Sequence, residues 1–340
     1  MARGLKEEVL RFFPPSLQAL LAPLPVWDEV EEIRLKVGRP LLLRLVRGET
    51  FVAACGSLTE QAAEAYRVSA AEVSRIINLA CGASLYAFEE EVRNGYITLE
   101  GGHRLGLAGR AVLEGGSIRT LRHISGVNFR VAREVRGSAA ALLPFVLRDS
   151  PPRVCHTLIV SPPRCGKTTV LRDLVRQLAD GVPELGFPGV TVGLVDERSE
   201  VAACYQGVPQ FDVGVRTDVL DACPKAAGIR MLVRAFGPEV VAVDEIGRAE
   251  DARAIEDALN AGVKVVATAH AGSLEELRRR PFFRHLFALG IVERFVFLRR
   301  GARPGEVAAV LDGAGRSLTP GLCGPRRAAA GVAGLRTLAP

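Results

Sequence analysis

The sequence predicts an α/β fold: a parallel sheet built around a P-loop in the second half, preceded by a smaller α+β domain. Three observations carry this. An apolar strand, Thr157–Val160, runs through Ser161, Pro162, Pro163, Arg164, Cys165 and Gly166 into Lys167, Thr168 and Thr169, which open a helix. Such a loop presents backbone N–H groups and the positive end of a helix to an anion. Apolar strands and helices then alternate to about residue 299, the pattern of a parallel sheet with helices on both faces. Finally, strands end in Asp196-Glu197, in Asp244-Glu245 and in His270, and open α/β sheets bind ligands at the carboxyl ends of their strands.

A chain of 340 residues suggests two domains, and 48% hydrophobic against 24% charged residues supplies ample core. No run of 18 apolar residues occurs, so no membrane span is expected. Glu7, Glu8, Pro14 and Pro15 interrupt the place where a secretory leader needs an apolar core. Seven cysteines without a Cys-x-x-Cys pair suit a reduced, cytoplasmic compartment and no zinc site. The net charge of +6 is concentrated in residues 313–340, where four arginines meet no acid. With aromatics at only 6%, a nucleic-acid partner is the less expected one.

In order along the chain, residues 1–28 read as a helical lead-in broken by prolines. Glu32–Val37 alternates Ile33, Leu35 and Val37 against Arg34 and Lys36, a half-buried strand, and Gly38-Arg39-Pro40 turns it into Leu41–Leu45. Ser69–Cys81 is a helix with Ser69 and Glu72 as a capping box, and a second helix covers Leu85–Val92 up to Asn94-Gly95. Tyr96–Val131 is strand-rich, with turns at Gly101-Gly102 and Gly115-Gly116. Its Arg104, Arg110, Arg119, Arg122 and Arg130, with Arg133 just beyond, form either a solvated face or a basic surface for phosphate. The domain boundary is placed near 150, giving domains 1–150 and 151–312 and a disordered basic tail, 313–340. The second domain reads as strand Thr157–Val160, helix Lys167–Ala179, strand Val190–Val195, an irregular stretch Asp196–Asp221, helix Pro224–Phe236 and strand Glu239–Val243. Helix Ala252–Ala261, strand Lys264–Ala269, helix Leu274–Arg279 and strand Arg294–Arg299 complete it.

The chemistry follows from position. Lys167 is placed for β- and γ-phosphates, and Thr168 with Asp244 for Mg²⁺. Glu245 is placed to polarise an attacking water. Glu197 is a second carboxylate for metal or water, unless Arg198 pairs internally with the strand-end acids. His270 either senses the terminal phosphate or is structural. The loop departs from G-x-x-x-x-G-K-[ST] at Ser161, where glycine's conformational freedom is missing. Alkylation of Cys165 is expected to block nucleotide. A transition-state arginine could come from Arg216, Arg230, Arg234 or Arg248, or from the first domain's set.

Five segments go beyond a generic P-loop protein: Glu89–Gly109, Ser161–Leu174, Val195–Gly228, Val240–Gly247 and Ala267–Leu277. Together they resemble the stage III sporulation protein AA family, which is similar to the ATPases of type II and type IV secretion. The resemblance implies a RecA-like ATPase core behind an N-terminal domain, using ATP and Mg²⁺ and assembling with itself as a ring, expected to be a hexamer. It implies docking on membrane-embedded sporulation channel proteins from the mother-cell cytoplasm, without a membrane span of its own. By the same resemblance Asp196-Glu197 is an acidic box, Asp244-Glu245 Walker B and His270 a histidine box. The basic strand region Arg104–Arg130 would supply arginines to nucleotide. A nucleic-acid-dependent P-loop NTPase and a nucleotide-gated scaffold with little turnover are the alternatives.

Overall fold

The computed structural model describes residues 4–82, 88–301 and 303–319. They form two compact units, Met1–Val135 with Asp196–Val213, and Arg136–Val195 with Gly214–Pro340.

The first unit begins with short helices α1 (Leu5–Leu10) and α2 (Pro15–Leu21). Pro15 opens α2 where no N–H is needed. Strands β1 (Val30–Lys36), β2 (Leu42–Leu45), β3 (Gly48–Val52) and β4 (Leu58–Thr59) form an antiparallel meander. Helix α3 (Ala70–Ala80) carries the expected capping box. Ser69 Oγ accepts from Glu72 N at 3.2 Å, and Ser69 N donates to Glu72 Oε2 at 2.9 Å. Helix α4 (Glu89–Asn94) ends at Gly95, whose φ of +82° needs glycine. The earlier part of the helix expected over Leu85–Val92 falls partly outside the described residues. Strands β5 (Tyr96–Thr98), β6 (Arg104–Glu114) and β7 (Ser117–Arg130) complete a seven-stranded sheet in the order β4-β3-β2-β1-β7-β6-β5. Because side chains alternate along β1, Ile33 and Leu35 are fully buried while Arg34 and Lys36 point away. The core gathers Val9, Phe13, Leu17 and Leu21 from the first helices, Ile76 from α3 and Phe129 from β7. Phe12 and Phe13 lie 5.7 and 5.2 Å from the Phe129 ring.

Residues 196–213, counted with the second domain by sequence, group with this first unit. Arg104 accounts for much of that. Its guanidinium donates to the Arg198 and Ser199 carbonyls, pairs with Glu200 at 2.8 Å and lies 4.5 Å from the Tyr96 ring centroid. Gly101 N adds a bond to Gln210 Oε1 at 2.8 Å.

The second unit opens with α5 (Leu143–Val146) and a small ribbon of β8 (Leu147–Arg148) and β9 (Arg153–Val154). Residues 136–150, expected in the first domain, belong here. Ala139 N donates to the buried Asp173 carboxylate at 2.8 Å, and Leu142 and Val146 are fully buried. The sheet is built from β10 (Thr157–Ser161), β11 (Val192–Asp196), β12 (Thr217–Asp221), β13 (Val240–Val243), β14 (Lys264–His270), β15 (Arg294–Arg299) and β16 (Glu306–Asp312). Their order is β12-β11-β13-β14-β10-β15-β16; the pairs from β11 through β15 are parallel and β15–β16 is antiparallel.

Helix α6 (Lys167–Asp180) packs on β10 and β14. Helices α7 (Lys225–Ala235), α8 (Ala249–Asn260), α9 (Leu274–Arg279) and α10 (Pro281–Ala288) share a core with Leu158, Val160, Val241, Val243 and Phe295. Leu158 and Val160 point into that core, so Ile159 between them faces the opposite side. Strands β12 and β16 and helix α10 were not anticipated. Nor is the start of the tail irregular: Leu318 N donates to Val310 O at 2.8 Å and Val310 N to Thr319 Oγ1 at 3.1 Å, returning 313–319 along β16.

One buried base gives a stability prediction. His103 is 1% exposed, its Nδ1 accepts from Ala132 N at 2.9 Å, and Nε2 has no hydrogen-bond partner among the described residues. Burial, aided by the Arg11 charge, depresses its pKa to about 4. It is therefore neutral at pH 7, and its 3.8 Å approach to Glu8 is not an ion pair. As pH falls below the ordinary 6.5, the unfolded chain takes up a proton that the folded chain refuses. Stability is thus lost between about pH 6.5 and 4, by roughly 2–3 kcal/mol. Denaturant unfolding should show a smaller acid loss in His103→Gln than in the parent; equal losses would remove His103 as the cause.

Candidate functional site

Three neighbouring strands converge on one point. Parallel register sets Ser161 of β10 beside His270 of β14, and Val243 of β13 beside Ala267 of β14. The loop after β10, the acids after β13 and the tip of β14 therefore share one edge of the sheet.

The loop dispenses with glycine at its first position. Ser161 is the last residue of β10, fully buried, and its hydroxyl donates to Pro162 O at 2.8 Å. Left-handed backbone falls instead on Arg164 (φ +63°) and Gly166 (φ +87°). A Cβ at Gly166 would lie 2.5 Å from Gly305 N and 2.9 Å from Pro304 Cβ. Gly166 is then the one loop glycine demanded by both angle and space.

Lys167 is 5% exposed at the first position of α6. Its Nζ lies 2.9 Å from His270 Nδ1 and 3.5 Å from both Ser161 O and Oγ. His270 Nε2 lies 2.6 Å from Glu245 Oε1. An ammonium can only donate, so Nδ1 accepts and Nε2–H donates to the carboxylate. The result is a directed chain from Lys167 through His270 to Glu245. Burial holds the Lys167 pKa below its usual value, against the raising pull of Asp244 and Glu245.

Thr168 Oγ1 donates to Asp244 Oδ2 at 2.7 Å. The other Asp244 oxygen accepts from the Thr268 hydroxyl, which in turn accepts from Glu245 N at 2.8 Å. Thr268, fully buried within an apolar strand, thus orients both acids. Sequence reasoning did not single it out; a hydroxyl in Val265-Val266-Ala267-Thr268-Ala269 was its only signal. Glu245 has φ +54°, uncommon for a side-chain-bearing residue and a local strain of about 1 kcal/mol.

Lys167, Thr168, Asp244, Glu245 and His270 are therefore brought together. The Asp196 carboxylate instead accepts from the backbone N–H groups of Glu200, Val201 and Ala202 at 2.8–2.9 Å and shapes the turn that follows. Glu197 follows it in the first unit. Cys165 is 5% exposed, so a thiol reagent reaches it only when the loop opens. Among the arginines, Arg104 is engaged as described. Arg216 donates to Ala179 O at 2.5 Å, Arg230 pairs with Asp257 at 2.8 Å, and Arg248 precedes α8 as its N-cap.

Thr168 and Asp244 offer a hydroxyl and carboxylate oxygens, the hard donors that suit Mg²⁺. The start of α6 and the Lys167 ammonium offer positive charge of the kind that suits a phosphate.

The parallel sheet and the loop between β10 and α6 define a P-loop, RecA-like α/β fold, and solved structures of secretion ATPases share it. The ATPase DotB of Legionella pneumophila superposes with a TM-score of 0.55 over 84% of this chain and 77% of its own, at 15% identity. The pilus retraction motor PilT, solved with bound ADP, gives 0.50 over 88% and 78%, at 14% identity. More specifically, residues 4–318 match the family model for sporulation stage III, protein AA, and the chain belongs to that family. Stage III sporulation protein AA of Bacillus subtilis is 40% identical over 314 residues, covering 92% of this chain and 97% of the relative.

Gly166→Ala should destabilise the second unit by about 1–3 kcal/mol, since it adds both a left-handed side chain and a clash with the 304–305 backbone. Thermal unfolding checks this; an unchanged melting temperature would mean the loop relaxes freely.

Proposed function

We propose that the chain is an Mg²⁺-dependent ATPase acting as a ring, a hexamer, in the sporulation channel between mother cell and forespore. The observation that carries this reading is the Lys167–His270–Glu245 chain beside the Thr168–Asp244 pair. The loop N–H groups and Lys167 would bind the β- and γ-phosphates, and Thr168 and Asp244 would hold the metal. Bound Mg²⁺ supplies charge neutralisation of the phosphate oxygens. Glu245 positions water and takes its proton as the water oxygen bonds to the γ-phosphorus and the bond to the ADP oxygen breaks. Triphosphate, a stronger partner for an ammonium than a neutral imidazole, draws Lys167 from His270. His270 then loses its Nδ1 donor while keeping Glu245, so nucleotide arrival is reported directly to the base.

Within the first unit, Arg110 and Arg122 sit opposite each other on the β6–β7 hairpin and are both exposed. These are the arginines we assign to a neighbouring subunit's nucleotide, because Arg104 is engaged with Glu200. No helix of the described residues is long and apolar enough to cross a membrane. The family resemblance, rather than this absence, supports docking from the mother-cell cytoplasm onto membrane-embedded channel proteins.

The test is the ATPase rate per subunit over a wide range of protein concentration. It should rise with concentration and fall about 100-fold or more in Glu245→Gln, which still binds ATP. A flat rate would defeat the ring; bound ATP without turnover at any concentration would favour a scaffold. Stimulation by single-stranded nucleic acid with steep salt dependence would favour the nucleic-acid reading instead.

Thr268→Val keeps the strand and removes the hydroxyl that orients both acids. We expect turnover to drop about 10–100-fold with ATP affinity changed less than about threefold. Parallel losses in both would assign Thr268 to binding.

A further inference from the structure

The loop between β15 and β16 carries Arg303-Pro304-Gly305, and its end lies on the P-loop. Gly305 N donates to Cys165 O at 2.9 Å. Pro304 and Gly305 fill the space where a Gly166 side chain would stand. Gly305, at φ +82°, is packed so closely that its own Cβ would meet Val170 Cγ2 at 2.2 Å. The hairpin end is further held by Arg299, whose Nε donates to Glu306 Oε1 at 2.8 Å. Arg303 and Pro304, just before Gly305, are exposed.

Sheet order gives the turn a side. Strands β14 and β13 lie on one flank of β10, and β15 lies on the other. Thr268, His270, Asp244 and Glu245 all come from the β14 and β13 flank. On the nucleotide reading, a terminal phosphate and its attacking water would lie there, with the remaining phosphates at the loop and the start of α6, so the rest of the nucleotide would leave on the β15 flank, where this turn sits.

We infer that Arg303 and Pro304 form the wall against which the nucleoside of a bound nucleotide packs, making the β15–β16 turn a specificity element of the site. This rests on the nucleotide reading of the P-loop. The two residues offer a planar cation and a rigid apolar ring, surfaces on which a base stacks. Gly305 has a different task, holding the turn to the loop through the bond to Cys165.

The test compares ATP with inorganic tripolyphosphate, which has the phosphates and lacks the nucleoside, as ligands of the full chain. Wild-type, Arg303→Ala and Pro304→Ala proteins are measured by calorimetry, with Gly305 left intact so that the turn stays attached. The expected result is tighter wild-type binding of ATP than of tripolyphosphate. ATP should then weaken about tenfold in Arg303→Ala, and less in Pro304→Ala, while tripolyphosphate changes less than about twofold. Equal weakening of both ligands would overturn the inference and make the turn a buttress of the loop. So would unchanged ATP affinity in both variants, or a wild-type protein that binds tripolyphosphate as tightly as ATP. Wild-type protein that binds neither ligand would overturn the nucleotide reading itself, and this inference with it.

Discussion

A lysine ammonium buried at the first turn of a helix is the constraint on which the second unit turns. The helix end already carries partial positive charge from its unpaired N–H groups, and Lys167 adds a full one at 5% exposure. Neither can be left without a counterpart in so dry a place. The fold meets this demand from the neighbouring strands, with an imidazole nitrogen at 2.9 Å and the carboxylates of Asp244 and Glu245 behind it. The strand order follows the same logic, because only strands parallel to β10 on its β14 flank can deliver their carboxyl ends to that spot.

Two hydroxyls make this arrangement specific. Thr168 and Thr268 each donate to a different oxygen of Asp244, which fixes the plane of the carboxylate. Thr268 also accepts the Glu245 N–H, steadying a residue whose left-handed backbone would otherwise be disfavoured. A change at Thr268 therefore disturbs Asp244 and Glu245 together, although Thr268 lies wholly inside the sheet.

Much of this was legible from residue pattern. The apolar strand before Gly-Lys-Thr, the four apolar residues before Asp244 and the alternation of strands and helices each have one physical reading, and the structure follows them. The capping box at Ser69 was equally local. What stayed hidden depended on distant partners. Strand β12 is half-buried and acid-rich, Thr-Asp-Val-Leu-Asp, so neither alternation nor an apolar run marks it. Strand β16 contains Ala-Ala, which favours helix, and is a strand because β15 pairs with it. Residues 196–213 group with the first unit because Arg104 binds carbonyls some ninety residues away, a pairing no local pattern encodes. The concern over Ser161 came from assigning the left-handed turn to the wrong residue; the chain bends at Arg164 and Gly166.

A site that satisfies its own cation behaves differently from an empty one. On the nucleotide reading, an incoming triphosphate must displace His270 from Lys167, which subtracts from affinity. The same exchange runs in reverse when the terminal phosphate departs: the imidazole competes with what remains, and product binding weakens with it. An internal partner for Lys167 would thus favour cycling over tight holding. Burial sharpens the balance, because a Lys167 whose pKa is already lowered tolerates a neutral partner better than a fully hydrated ammonium would. On that reading, the Lys167–His270–Glu245 chain would suit a protein that releases its product better than one that stores nucleotide.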